Sequence, residues 1–333
     1  MGTLKTLMRS QLRFSAIAAC LLGSFGLMAS LPSRATLTFT AGIEKSQWYL
    51  SASIFECSLT HTIPNYGRAV FYREAGEDLL FYLDTPRNLM RAGEAALVVE
   101  APRWRPGSGV RNLGFVNVNA SAPRPIRVDQ VKASQMIDGL MAGMIPTFTR
   151  RAQYNDETVR VEVSSVNFSQ FYEDYMACVA SLLPMNFRQV ERTAVFFRSD
   201  ESALTDVDRQ ALDRVAFFVK ADPSVTAIFV DGHTDATGRR IHNRQLSKDR
   251  AEAVSNYLVG KGLDENMITV RYHGERYPVA GNRGAGDKAR NRRTTVRLER
   301  GTAPPAQADS GTMFQFSDEA TGQSLTPPPS APQ

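Results

Sequence analysis

The order of strand-like and helix-like segments in residues 188–300 limits the possible folds most narrowly. Four short apolar runs are typical of strands, and they read TAVFF, VTAIFVDGHTD, MITVRYHGE and RRTTVRLER. A helix that Thr205 can cap follows the first run, and a longer helix that ends at Gly260 or Gly262 follows the second. The order β-α-β-α-β-β predicts an α/β sandwich, with helices packed on one face of a sheet.

Residues 36–187 follow another pattern, dominated by short alternating runs. AVFYR and LLFYL flank a turn that contains Gly76, which predicts a hairpin. Two helices are predicted, at about 134–142 and 168–183. We therefore expect a β-rich domain, either a sandwich or an open barrel, and an α+β fold for the whole chain.

The first 35 residues are typical of a secretory signal peptide. Lys5, Arg9 and Arg13 precede an uncharged apolar run over 14–31, and the small residues of SRA at 33–35 suit cleavage. This predicts export to the periplasm; a membrane anchor is the alternative, because about 18 apolar residues are the lower limit for crossing a bilayer. IAAC at 17–20 resembles a lipoprotein cleavage site, but too few apolar residues precede Cys20, so we interpret the match as accidental.

The last segment, 301–333, is rich in Pro, Ser and Ala and is predicted to be a disordered tail. Removal of the signal would leave two cysteines, Cys57 and Cys178. In an exported chain these most simply form one disulfide, and two buried thiols are the alternative. The net charge of +5 would suit nucleic acid, anionic lipid or an acidic polymer and does not choose among them.

Three polar residues, Asp231, His233 and Asp235, alternate at the end of the second strand and could share one face. Two carboxylates and an imidazole suit a metal, but no second histidine at helical spacing completes a site. No serine or cysteine with an evident base would make Asp235 catalytic. We therefore predict no metal, no cofactor and no catalytic residue.

The long helix presents a polar face. Asn243, Ser247 and Arg250 are spaced by four and three residues and so lie on one side. Arg250 falls near the core boundary, where a charge needs a partner, and Asp235 could supply it as a structural salt bridge.

The same stretch resembles a known family. GHTDATGRRIHNRQLSKDRAEAVSNYL, then RYHGERYPVAGN, then NRRTTVRLE is similar to the peptidoglycan-binding domain of the outer-membrane-protein-A (OmpA) family, over about 190–300. The resemblance implies that the domain grips the diaminopimelate of the wall peptide, whose end carries an ammonium and a carboxylate. Asp235 would bind the ammonium and Arg250 the carboxylate, with Thr234, Asn243 and Asn291 in support. Without ligand, the pair would form a salt bridge and add little to stability.

The N-terminal half resembles the MotY family of flagellar motor proteins. The matching segments are SQW at 46–48, FEC at 55–57, IPNYG at 63–67 and AVFYREAGE at 69–77. The resemblance implies a disulfide between Cys57 and Cys178, a place in the T ring of the basal body, a MotX-type partner and a role in gathering stator proteins. It implies neither catalysis nor a nucleic-acid partner.

Two other interpretations remain open, and a third is rejected. The chain could be a general envelope tether without a motor role, or a wall-active enzyme. The basic segment 281–293 could bind phosphate, but it lacks the Gly-Lys-Ser/Thr ending of a phosphate-binding loop.

Overall fold

The computed structural model describes residues 35–301, except Pro106 and Ser108. The predicted tail after Gly301 and the predicted signal peptide before Ala35, with Cys20 in it, lie outside the described residues. Within 35–301, no helix is both long and apolar enough to cross a membrane.

The N-terminal part is one ten-stranded sheet with two helices against it. Its elements are β1 (Thr36–Phe39), β2 (Trp48–Ala52), β3 (Glu56–Ile63), β4 (Gly67–Glu74), β5 (Leu80–Asp84), β6 (Gly93–Glu100), β7 (Arg111–Val118), β8 (Ile126–Val128), α1 (Gln130–Met141), β9 (Ile145–Arg151), β10 (Thr158–Glu162) and α2 (Phe168–Ser181). The strand order is β1-β10-β9-β6-β7-β8-β5-β4-β3-β2, with β1 and β2 at the two edges. All ten strands belong to one curled sheet, as expected of a β-rich domain.

Apolar side chains from the sheet and both helices form one core in this part. Trp48 is 2% exposed, and its ring stacks on His61 with 4.7 Å between centroids. Cys57 in β3 and Cys178 in the last turn of α2 form a disulfide, with their Cα atoms 6.1 Å apart. The predicted disulfide is therefore confirmed.

The C-terminal part has the predicted order with two extra short helices, one before the first strand and one before the last. Its elements are α3 (Phe187–Val190), β11 (Arg192–Phe196), α4 (Asp206–Ala221), β12 (Val225–Gly232), α5 (Arg240–Gly260), β13 (Ile268–Tyr272), α6 (Ala285–Asn291) and β14 (Arg293–Arg300). The sheet order is β11-β14-β12-β13, and β12 pairs parallel with β13 and antiparallel with β14. Thr205 caps α4 as predicted, because its hydroxyl accepts the Asp208 N–H.

The two parts meet through a tight junction. The β4–β5 turn carries Gly76 with φ +69°, and a side chain there would lie 2.8 Å from the Cα of Met185. Asn186 donates to Glu77 Oε1 at 3.0 Å, next to this turn. The ring of Phe55, which precedes β3, packs 6.0 Å from Phe218 of α4. Apolar contact and hydrogen bonds therefore connect the two parts.

Candidate functional site

A pocket of about 330 Å³ opens where β12 ends and α5 begins. Four of the five predicted binding residues line it: Thr234, Asp235, Asn243 and Arg250. Asn291 does not line it. Residues distant in the sequence, including Ser199, Asp200 and Arg292, complete the walls. The fold thus brings most of the predicted set together.

The close packing of α5 on β12 places two of these residues. A side chain at Gly232 would run into the backbone carbonyl of Ser247, so only glycine lets the helix approach this closely. The polar face of α5 is buried in consequence, with Asn243, Ser247 and Arg250 each no more than 2% exposed. Ser247 also accepts the Gly274 N–H at 3.0 Å, which holds the loop after β13 against α5.

Asp235 is buried and held by two donors. The backbone N–H of Thr237 donates to Oδ1 at 2.9 Å, and Arg292 Nη1 donates to Oδ2 at 3.0 Å. Burial alone would raise the pKa of Asp235, but the bonds from Thr237 and Arg292 outweigh it and hold that pKa below its usual range. The carboxylate is therefore ionised at neutral pH. Its ion-pair partner is Arg292, so the predicted salt bridge between Asp235 and Arg250 is wrong.

Arg250 is fully buried and donates hydrogen bonds to backbone carbonyls. Its Nε donates to Glu201 O at 2.7 Å, Nη1 to His233 O at 3.2 Å and Nη2 to Arg198 O at 2.9 Å. A guanidinium has five N–H groups, so two remain for a ligand. Burial, with the nearby positive charge of Arg292, lowers the pKa of Arg250 to about 10. The side chain therefore stays charged at neutral pH.

Arg292 is the site residue that the sequence analysis missed. Its Nε donates to Phe197 O at 3.0 Å, and its guanidinium lies in the same pocket as Arg250 and Asp235. Two like charges in a buried pocket repel each other, and an anion between them would relieve that repulsion. The signal for this residue was the NRR segment at 291–293, which resembled the family without suggesting a role.

The three supporting residues differ in position. Asn243 donates to Glu275 Oε2 at 2.8 Å and to the backbone carbonyl of Asp235 at 3.3 Å. The hydroxyl of Thr234 is buried in the pocket wall with no partner in the described part of the protein. Asn291 instead accepts the N–H groups of Val279 and Ala280, so it shapes the loop before α6.

Asp231 does not line the pocket, and its carboxylate contacts Arg271 and His273. Arg271 donates to both of its oxygens at 2.7 and 2.8 Å, and His273 lies 2.8 Å from Oδ1. Among residues 35–301 as described, no cluster of three or more metal-ligating side chains occurs. His233 stacks on His273 with 4.9 Å between ring centroids, and burial lowers the pKa of His233 to about 4, assisted by Arg293. It is therefore neutral at pH 7.

Comparison with known families agrees with both resemblances. Residues 39–184 match the family model for the MotY N-terminal domain, and residues 196–292 match the model for the OmpA family. The chain joins a MotY N-terminal domain to an OmpA-family domain. Both predicted resemblances are confirmed.

Individual relatives share this arrangement in whole or in part. The sodium-type flagellar protein MotY of Vibrio parahaemolyticus is 29% identical over 273 residues, which cover 79% of this chain and 90% of the relative. Outer membrane protein A of Bordetella avium is 40% identical over 115 residues, 34% of this chain and 59% of that protein. Among solved structures, the peptidoglycan-associated lipoprotein from Burkholderia pseudomallei aligns with 32% of this chain and 89% of its own, at 28% identity and a TM-score of 0.31.

Proposed function

We propose that this protein is a periplasmic component of the flagellar motor that binds peptidoglycan through its OmpA-family domain. The match to the MotY N-terminal domain supports the motor assignment. The flagellar protein of Vibrio parahaemolyticus supports it too, because the alignment with this chain covers 90% of that protein. The proposal includes export by a signal peptide over residues 1–35. It assigns no catalysis, no cofactor and no nucleic-acid partner.

The observation that carries wall binding is the carboxylate of Asp235 beside two guanidiniums in a pocket of about 330 Å³, whose wall also holds Asp200. The ligand in this proposal is the amino-acid end of diaminopimelate. Its ammonium binds Asp235, and its carboxylate lies between Arg250 and Arg292, where the remaining N–H groups can donate. This modifies the expectation from sequence, since two arginines, not one, receive the carboxylate.

Two further features suit this ligand. The unpartnered hydroxyl of Thr234 can donate to the carboxylate or accept from the ammonium. Asn243 holds the backbone carbonyl of Asp235, which keeps the ammonium site in place before ligand arrives. Binding therefore requires little rearrangement, which lowers its entropic cost.

The N-terminal domain supplies the motor attachment in this proposal. We assign it a place in the T ring, contact with a MotX-type partner and with the basal body, and a role in gathering stator proteins. The wall-binding domain then opposes the torque that a stator exerts as it drives the rotor. The role is mechanical, so the chain needs strong attachment at both ends.

Asp235→Asn tests the wall contact. The amide keeps the size and can still accept from Thr237, but it loses the charge that attracts an ammonium. We expect affinity for purified sacculi and for free diaminopimelate to fall at least about 30-fold, the effect of losing roughly 2 kcal/mol from a buried charged hydrogen bond. Asp206→Asn, at the exposed start of α4, is the matched control. Wild-type affinity in the Asp235 variant would exclude this pocket as the wall site.

A general envelope tether remains the second candidate, favoured by the OmpA-family domain alone. Deletion of the gene separates the two functions. If the protein is a motor component, the deletion strain should not swim and should keep an intact envelope. If it is a tether, the deletion strain should swim and should leak periplasmic enzymes. Cells that carry the Asp235→Asn protein should behave like the deletion strain in the same assay.

A further inference from the structure

Exposed arginines surround one side of the pocket mouth. We call them the basic rim and define it by five residues: Arg239, Arg240, Arg244, Arg276 and Arg283. Arg239 immediately precedes α5, Arg240 begins it and Arg244 follows one turn later. The other two lie in loops between β13 and α6.

Contacts between loops bring these residues beside the pocket. Asn282, the neighbour of Arg283, accepts the N–H of Ala236 at 3.2 Å. Gly274 lies against the backbone of Arg244. Ala236 and Arg239 flank Thr237 and Gly238, which line the pocket. The rim and the pocket therefore share the same loops.

Acidic groups compensate little of this charge. Arg240 lies 3.8 Å from Glu275, and Arg244 stacks on Tyr272 with its guanidinium 5.1 Å from the ring centroid. Arg239, Arg276 and Arg283 have no carboxylate within 4.0 Å in the described part of the chain. Three exposed, uncompensated charges around an amino-acid pocket attract a multiply charged anion.

We infer that the basic rim binds the further carboxylates of the wall peptides, beyond the single residue held in the pocket. The inference rests on the proposed function. A pocket of this size holds one amino-acid end, but each wall peptide carries other carboxylates, and the polymer repeats them. A polyanion anchored in the pocket presents those groups to the rim at high local concentration.

Apolar side chains stand among the arginines and also suit the wall. Ile241 is 81% exposed and Tyr277 is 61% exposed. Both can contact sugar rings or alanine methyl groups. Basic and apolar residues together also occur on membrane-binding surfaces. However, the rim and the pocket mouth share loops, so a bilayer on the rim would cover the pocket, whereas a wall peptide can fill both at once.

The test compares two triple variants of the full chain. R239Q/R276Q/R283Q removes the uncompensated rim charges, and R192Q/R214Q/K220Q removes three exposed charges of the same domain away from the pocket. An exposed ion pair contributes about two- to threefold in affinity. We therefore expect the rim variant to bind sacculi about tenfold more weakly at 50 mM NaCl, and the control to bind like wild type. The difference should shrink below about twofold at 500 mM NaCl, because salt screens exposed charges.

Two further ligands separate the possible outcomes. Free diaminopimelate fills only the pocket, so its affinity should be the same in wild type and in the rim variant. Vesicles of phosphatidylglycerol should bind wild type and both variants equally weakly. Rim-variant affinity for sacculi equal to that of wild type, or a rim-dependent preference for vesicles, would overturn the inference. Failure of the wild-type protein to bind free diaminopimelate would overturn the proposed function instead.

Discussion

Replacing Arg250 by alanine should destabilise the OmpA-family domain and not only remove a ligand contact. The guanidinium is fully buried and donates to three backbone carbonyls, those of Arg198, Glu201 and His233. It thereby ties the segment after β11 to the end of β12. From sequence alone, the residue was expected to matter to binding and little to stability.

The structure sets the size of the effect. A hydrogen bond from a charged donor contributes about 1.5–3 kcal/mol, and a buried carbonyl left without a donor costs about 1–3 kcal/mol. Water can reach Arg198 O and Glu201 O after truncation, because both lie near the surface, but the carbonyl of His233 stays buried. We expect Arg250→Ala to lower the free energy of unfolding by about 3–5 kcal/mol. The two parts are expected to unfold in one transition, so this loss lowers Tm by roughly 6–20 °C, at the 2–4 °C per kcal/mol typical of 150–250 residues.

Differential scanning calorimetry is the suitable assay, with diaminopimelate absent. The two tryptophans, Trp48 and Trp104, both lie in the N-terminal part, so their fluorescence would report the change only through the coupling of the two parts. Arg244→Ala is the control. Arg244 is an exposed arginine on the same helix, and in the described part of the chain its side chain donates to no backbone carbonyl. A Tm of Arg250→Ala within about 2 °C of wild type would refute the argument that this arginine holds the backbone together.

Three other perturbations address the N-terminal part and the junction. Burial lowers the pKa of His61 to about 4, although the hydrogen bond with Gln47 O opposes the shift. The stability that neutral His61 allows is therefore complete above about pH 6.5 and is lost as the pH falls towards 4. This loss of unfolding free energy amounts to at most roughly 3 kcal/mol. In urea titrations followed by Trp48 fluorescence, the His61→Phe protein should lose less stability between pH 6.5 and pH 4 than wild type. Replacing Cys57 and Cys178 by serine should lower the stability of the same part by about 4–5 kcal/mol, because the bond closes a loop of 121 residues. Phe55→Ala should separate one calorimetric transition into two, since this ring packs on the core of the other part.

Each of these has a result that would contradict it. An unchanged acid limb in His61→Phe would mean that another group titrates on unfolding, with His233 the next to test. Equal urea midpoints with and without reductant would show that the disulfide adds nothing to stability. A single transition at unchanged Tm in Phe55→Ala would show that the hydrogen bonds of Asn186 and Gln189 suffice to couple the two parts.

Local patterns predicted most of the C-terminal fold, because its signals act over short distances. Thr205 sits three residues before Asp208 and caps α4 by a bond within one turn. The Gly76 hairpin is equally local. The N-terminal sheet was harder, because β1 pairs in parallel with β10, so Thr36 lies beside Thr158. No periodicity in one sequence shows which distant strands become neighbours.

The site shows the same division between local and distant information. Helical spacing placed Asn243 and Arg250 together, and the structure agrees. Which arginine binds Asp235 depends on how α6 and β14 return Arg292 to the pocket, 57 positions after Asp235. Arginines are chemically equivalent in a sequence, so only the fold distinguishes the one that pairs with the carboxylate from the one that grips the backbone.

The disulfide has a mechanical consequence under the wall attachment proposed above. Tension applied to the two ends of the described chain passes directly from Cys57 to Cys178 through the sulfur atoms. The intervening residues 58–177 form most of β3, β4 to β10, α1 and most of α2. They then lie in a closed loop whose own backbone carries none of that load. Most of the large sheet can therefore keep its shape, and any surface that it offers to neighbours, while the covalent path beside it is under strain.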